Sequence, residues 1–240
     1  MLAVFILLSV AFGTTFEVTA SRSRDPQGHY CLPLPQYNLT ERSNGINQCV
    51  RKECPQYVAI PGYFDNYENV TVRQVEAGVY AYRTSDKCDM SDALIDSYLP
   101  LHYYFYRQPV KMNRTIPILL FSTKMPEDHA CNYTHQLNFY LPTANHSNYP
   151  QPTSESGVGV PNNALAQPTC YVVYHWSGKV NSRTVYSKYE DLKNNITNSA
   201  NNNLSFDENR FAHARYDPSC RPGNRNEIWI PLSNCPDTDQ

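Results

Sequence analysis

A chain of 240 residues with 41% hydrophobic and 18% charged positions is long enough for one substantial domain with a buried core and too apolar for general disorder. Its 20 Lys+Arg against 22 Asp+Glu leave a net charge of −2, with no basic surplus to neutralise a phosphate backbone, which argues against nucleic acid as a partner. Eighteen Pro against 9 Gly, with 19 Tyr and 9 Phe, suit a turn-rich, largely β chain.

The segment from Leu2 to Phe12 is almost wholly apolar, and Val18-Thr19-Ala20 precedes Ser21. Residues 1–20 therefore read as a secretory signal peptide, with an apolar run too short for a membrane span. Residues 21–60 read as an irregular arm, interrupted by Pro26, Pro33, Pro35 and Pro55 and stapled by Cys31, Cys49 and Cys54. The folded domain is expected over 61–235, with a short tail at 236–240. Two extended runs flank Glu76-Ala77-Gly78 and read as a hairpin or a bent strand. Asp89 is placed to cap a helix in which Met90, Leu94, Tyr98, Leu101 and Phe105 draw one apolar stripe, and Pro100 is expected to kink it. Strands are expected over 116–123 and 134–141, the second with His135, Leu137, Phe139 and Leu141 on one face. After a Pro- and Asn-rich loop over 142–157 comes a strand at 169–176. A second amphipathic helix is marked by Val185, Tyr189, Leu192 and Ile196, and strands at 211–216 and 227–232 close the set. Strand and helix starts recur about 91–92 residues apart, from Tyr80 to Tyr171 and from Met90 to Ser182. That spacing suggests two copies of a strand–strand–helix–strand unit joined into one α+β domain.

Eight cysteines, at 31, 49, 54, 88, 131, 170, 220 and 235, include no CxxC pair of the kind that grips zinc. An even number behind a secretory leader reads as disulfides: Cys31, Cys49, Cys54, Cys88, Cys131, Cys170, Cys220 and Cys235 are all taken as bridged, in pairs that spacing cannot assign. Seven N-x-S/T acceptors, at Asn38, Asn69, Asn113, Asn132, Asn145, Asn195 and Asn203, fit the same extracellular route as glycosylation sites.

Several of these segments resemble the SOUL haem-binding proteins. Tyr216-Asp217-Pro218 followed by Asn226-Glu227-Ile228-Trp229 resembles that family's closing signature. In the family's order stand Cys54-Pro55 with Tyr57, Val72-Arg73 with Val79-Tyr80, Thr115-Ile116-Pro117-Ile118, and Phe139-Tyr140-Leu141-Pro142, so the resemblance spans about 54–232. Cys54-Pro55 with Tyr57 resembles the start of the plant-type secreted members. The family resemblance implies a distorted β-barrel of two four-stranded antiparallel sheets with two flanking helices, arisen by internal duplication. It also implies binding of haem or another tetrapyrrole at a shallow apolar site by the first helix, with no catalytic step general to the family. Arg73 and Arg221 stand where some relatives place basic residues for the propionates, and Tyr80 would belong to the apolar wall. Some members carry a His directly after the arginine of the first strand as the proposed iron ligand. Here that residue is Gln74, a poor ligand for haem iron.

His102, His135, His175 and His213 read as packed or surface histidines ahead of ligands. No GxSxG, HExxH, P-loop or GxGxxG motif is present, and the carboxylate pairs Asp89 with Asp92 and Glu190 with Asp191 read as a helix cap and a solvated helix face, so no enzyme is expected. The expected function is a secreted haem- or porphyrin-binding carrier, scavenger or buffer. The alternative is a structural or interaction protein of an extracellular matrix whose pocket no longer binds haem.

Overall fold

A computed structural model describes residues 53–64, 66–106, 112–113, 115–160, 167–178, 180–199, 204–216 and 224–236. The expected leader, most of the expected arm with Cys31 and Cys49, and Cys220, Arg221, Asn38 and Asn203 lie outside the described residues.

Eight strands and two helices follow one another as β1 (Tyr57–Ile60), β2 (Val70–Val75), β3 (Tyr80–Ser85), α1 (Met90–Tyr106), β4 (Ile118–Lys124), β5 (Tyr133–Tyr140), β6 (Thr169–Ser177), α2 (Ser182–Asn198), β7 (Arg210–Arg215) and β8 (Arg225–Pro231). All pairings are antiparallel, in the order β1-β2-β6-β8-β7-β4-β5-β3. The expectation of two four-stranded sheets closed into a barrel is thus replaced by one open eight-stranded sheet. Its free edge at β3 is covered differently: the Tyr82 and Gly159 backbones exchange N–H···O bonds of 2.8 Å each, so a loop segment takes the edge groups that closure would have used. Gly159 is needed there, because an added Cβ would lie 2.5 Å from the Tyr82 ring. Gly159→Ala is expected to cost about 1–3 kcal/mol by overpacking, and a urea midpoint unchanged by the substitution would contradict this.

β2 and β3 do not form a hairpin. They sit six strand spacings apart in the sheet order, or about 29 Å if the sheet were flat. The link from Val75 to Tyr80 reaches at most about 18 Å even fully extended, so the sheet is strongly curled. β1 falls inside the segment read as irregular; four residues between Pro55 and Pro61 are too few to show a strand pattern, and only pairing with Val72–Val75 makes them one.

Both helices form where their caps and apolar spacing place them. Asp89 Oδ1 accepts from the backbone N–H of Ser91 (2.7 Å) and Asp92 (3.2 Å), and Asn181 Oδ1 accepts from Thr184 N–H at 2.9 Å. Met90, Leu101 and Phe105 are buried, with Leu94 and Tyr98 packed partly buried against the same core. On α2 the four expected residues are all buried, and Tyr189 stacks on Phe211 with ring centroids 4.2 Å apart. α1 packs on β3 and β5 and α2 on β8. The core on this helix-bearing face is built from Val72, Leu120, Leu137, Phe139, Ile228 and Ile230.

Two bridges join described residues. Cys88–Cys131 ties the start of α1 to the β4–β5 turn, and Cys170–Cys235 ties β6 to the chain after β8. Cys54 is also disulfide-bonded. Of the described glycan acceptors, Asn69, Asn113 and Asn132 are exposed and Asn145 and Asn195 partly exposed; none lies on α1.

His213 sits buried between Trp176, whose ring it faces at 5.8 Å, and Asn226 Oδ1 at 3.3 Å. Burial, with help from Arg215, lowers its pKa to about 3. The unfolded chain therefore takes up a proton near pH 6.5 that the folded chain refuses, so this contribution to stability is complete above pH 6.5 and falls as the pH drops toward 3. Burial lowers the His135 pKa as well, which adds to the same acid lability. The melting temperature is expected to fall between pH 7 and pH 4, and less steeply in His213→Asn; equal slopes in the two proteins would exclude His213 as a cause.

Candidate functional site

The face of the sheet away from the helices carries a second apolar cluster, with Val75, Leu119, Val173 and Trp229 buried in it and Tyr57, Tyr80, Phe121 and Tyr171 packed against it. Strand alternation decides what points there. In β2, Val70 and Val72 face the helices, which sends Arg73 to the other side; in β8, Ile228 and Ile230 do the same for Glu227 and Trp229.

Arg73 and Glu227 consequently meet in the interior, 5% and 2% exposed. Arg73 Nη1 donates to Glu227 Oε1 at 2.9 Å, and Arg73 Nε donates to Thr71 Oγ1 at 3.1 Å. Glu227 Oε2 accepts from Tyr216 Oη and from Trp229 Nε1, both at 2.7 Å. The guanidinium also lies over the Tyr57 ring, 4.5 Å from its centroid. Burial, the largest single effect, works against the charge on Arg73, but the Glu227 carboxylate and its hydrogen bond, together with Tyr216 and Tyr57, outweigh it and raise the arginine pKa. Burial, then the Glu227 charge, raises the Tyr216 pKa, so its hydroxyl stays a donor at neutral pH. Every charge in this group is answered inside the protein.

Of the residues expected to hold a tetrapyrrole, Arg73 and Tyr80 do share a face, but it is the face opposite α1. Arg73 is committed to Glu227 rather than standing at a rim. Tyr80 packs its ring 5.4 Å from Tyr140, and burial raises its pKa. Gln74 alternates back toward the helix-bearing side, and its side-chain amide donates to Cys235 Sγ at 3.7 Å. Arg221 is outside the described residues.

A different surface has the character of a site for a flat apolar ligand. Ile95, Leu99, Tyr103 and Tyr106 are exposed by 50%, 50%, 45% and 40%. They follow one another on α1 at spacings of four, four and three, so they form one outward stripe along the helix. α1 is therefore apolar on two sides, a pattern uncommon for a surface helix. Half-buried His102 lies on the stripe, its ring 4.4 Å from that of Tyr106 and 5.7 Å from that of Tyr98. The outward stripe escaped the sequence reading because the inward one satisfied the helical period, although its spacing was equally visible. A shallow cleft of about 480 Å³ lies elsewhere, between the Cys88–Cys131 bridge and Tyr133, Tyr186 and Glu190. Its described lining includes the Glu190 carboxylate.

The comparison with protein families places this chain. The family model described as SOUL heme-binding protein matches residues 52–231, and the chain belongs to that family. No curated protein sequence matches the chain. Among solved structures it is similar to the C-terminal domain of EcmrR, with 10% identity, 69% of this chain and 98% of that chain covered and a TM-score of 0.48. It is also similar to a putative bacterial transcription regulation protein from Staphylococcus aureus MU50, at 12% identity, 69% and 98% coverage and a TM-score of 0.39. An integron cassette protein from the mobile metagenome of Vibrio cholerae matches at 13% identity, with 69% and 96% coverage and a TM-score of 0.39.

Among the described residues, the α1 stripe offers an aliphatic and aromatic surface of the kind one face of a haem requires. The helix-free face, with Arg73 and Glu227 mutually neutralised, supplies no unpaired cation of theirs for a propionate.

Proposed function

We propose that this chain is a secreted tetrapyrrole-binding protein, a carrier, scavenger or buffer of haem or porphyrin, which receives the macrocycle on the outer face of α1. The observation that carries this reading is the exposed stripe Ile95, Leu99, Tyr103 and Tyr106 in a member of a haem-binding family. Water leaves both this surface and the porphyrin face when they meet, which supplies the main driving force. Haem, when bound, supplies a redox-active iron; the protein's own part is to hold the ring and shield one side of it, with no catalytic step assigned. The two disulfides and the exposed glycan acceptors support export. The sheet order, which reads β6-β8-β7 and then β4-β5-β3, supports descent by duplication, with strand–helix–strand–strand as the repeated unit in place of the strand–strand–helix–strand unit expected from the sequence.

Titration of the purified protein with haemin is expected to give a saturable Soret shift at micromolar protein, and Leu99→Asp with Tyr103→Asp is expected to weaken binding at least tenfold. A flat titration of the unsubstituted protein overturns the proposal. It would favour the second reading, a structural or interaction protein of the extracellular matrix, for which the internally neutralised Arg73–Glu227 pair speaks.

A further inference from the structure

We propose that the cleft beside the Cys88–Cys131 bridge is filled by the chain's own N-linked glycan, carried on Asn132, whose first sugar rests on Tyr133 and Tyr186. This rests on the export half of the reading above and gives one expected acceptor a role in the fold.

The acceptor stands on the cleft itself. The space of about 480 Å³ is lined by Asn132 together with Cys88, Cys131, Tyr133, Tyr186 and Glu190. Asn132 opens the sequon Asn132-Tyr133-Thr134. It is exposed, and its side-chain amide bonds to no described residue. Its backbone is held in place. Cys131 is bridged to Cys88, the Met125 N–H donates to the Asn132 carbonyl at 2.9 Å, and the Cys131 N–H donates to His129 Nδ1 at 3.1 Å. A glycan attached here starts from a fixed point, which lowers the entropy it loses on docking. The other described acceptors, Asn69, Asn113, Asn145 and Asn195, are not part of this cleft wall.

The walls suit a pyranose. One side of N-acetylglucosamine is a plate of C–H groups, and its rim carries hydroxyls and an amide. The rings of Tyr133 and Tyr186, with centroids 5.1 Å apart, offer the electron-rich faces on which such C–H groups pack. Both rings are backed by the edge-on ring of Phe211, at 6.1 and 5.9 Å, so the platform is fixed by the core. Glu190 is exposed and no described residue pairs with its carboxylate, whereas Lys188 and Lys193 of the same helix are engaged by Asp191 at 3.6 Å and Glu208 at 3.3 Å. That carboxylate accepts from sugar hydroxyls. Burial, with Tyr133 and Asp89 nearby, pushes the Tyr186 pKa up to about 12, and burial with Glu190 raises that of Tyr133, so both phenols stay protonated donors. A free sugar holds such a surface weakly. Attachment at the rim raises its effective concentration to about the millimolar range, so modest contacts keep the cleft filled. The docked sugar also covers the Cys88–Cys131 bridge that lines the cleft, and slows attack on it by thiolates.

The test expresses the full chain through the secretory route of cultured eukaryotic cells, with site occupancy read by peptide mass spectrometry. The glycans are trimmed to their first sugar by an endoglycosidase, and the product is compared with Asn132→Gln and the control Asn69→Gln, trimmed alike. Asn132 is expected to be occupied, and its sugar to give nuclear Overhauser contacts to the Tyr133 and Tyr186 rings. Reduction of Cys88–Cys131 by dithiothreitol, trapped by alkylation, is expected to run about three- to tenfold faster in Asn132→Gln, the effect of one contact as strong as an aromatic pair. Asn69→Gln is expected to match the unsubstituted protein. Tyr186→Ala is expected to abolish the difference that the Asn132 sugar makes; should circular dichroism show it misfolded, the exposed Glu190→Ala serves, with the difference reduced. A sugar on Asn132 without contact to either ring, or a reduction rate indifferent to it, overturns the docking and leaves export intact. An exported chain occupied elsewhere but not at Asn132 does the same. A chain retained in the cell with every acceptor unmodified overturns the export reading as well.

Discussion

Truncating either partner of the Arg73–Glu227 pair is expected to destabilise the protein by about 3–5 kcal/mol, the cost of leaving one buried charge without its answer. Glu227→Ala strands the guanidinium and also two donors, Tyr216 Oη and Trp229 Nε1. Arg73→Ala leaves the carboxylate with its two neutral donors and no cation, and removes the group covering Tyr57. The double substitution Arg73→Met with Glu227→Leu is expected to be less harmful than the sum of its parts, since no charge is then buried. Equilibrium urea unfolding of the three variants checks this. A loss below about 1 kcal/mol in both single variants, the range of an exposed ion pair, would mean that water reaches the pair. Haemin affinity of any variant that remains folded is expected to be unchanged, because the pair lies on the face opposite α1.

Reduction of the disulfides is the second large effect. Cys88–Cys131 and Cys170–Cys235 close loops of 43 and 65 residues, for which chain entropy predicts about 4 kcal/mol each and typical measurements about 2–4 kcal/mol. Loss of these two bridges is accordingly expected to lower the melting temperature by about 10–25 °C, at about 2–4 °C per kcal/mol for a domain of this size, and full reduction, which also opens the bridge of Cys54, by at least as much. Calorimetry with and without reductant, with thiols counted to verify reduction, measures it. An unchanged melting temperature in the fully reduced protein would show that the sheet and its two cores hold the fold without the bridges. Local effects are expected to differ. Loss of Cys88–Cys131 frees the start of α1 from the β4–β5 turn, whereas loss of Cys170–Cys235 frees the chain end that Gln74 touches.

Much of the fold was legible because its signals are local. Asp89 caps α1 through bonds spanning two or three residues, and the 3.6-residue period of Val185, Tyr189, Leu192 and Ile196 announces a buried face wherever the partner lies. The segments shared with the SOUL proteins were also readable, since each is a short run in a known order. The site was legible only in part. Residues 90–105 were correctly read as a helix with an apolar face, but the outward face of the same helix carries the exposed stripe. Arg73 has the right charge for a propionate, and in the folded chain its guanidinium is bonded to Glu227.

Sequence alone settled the helices, most strands, the alternation that hides Leu137 and Phe139, and membership of the haem-binding family, because caps, periods and short motifs act over a few residues. Tertiary structure alone decided that the strands form one curled, open sheet with β1 and β3 at its ends, and that Arg73 spends its charge on a residue 154 positions away. Strand pairing order and buried charge partners depend on which distant segments meet. Local patterning is nearly the same for an arginine aimed at a ligand and for one aimed at a glutamate.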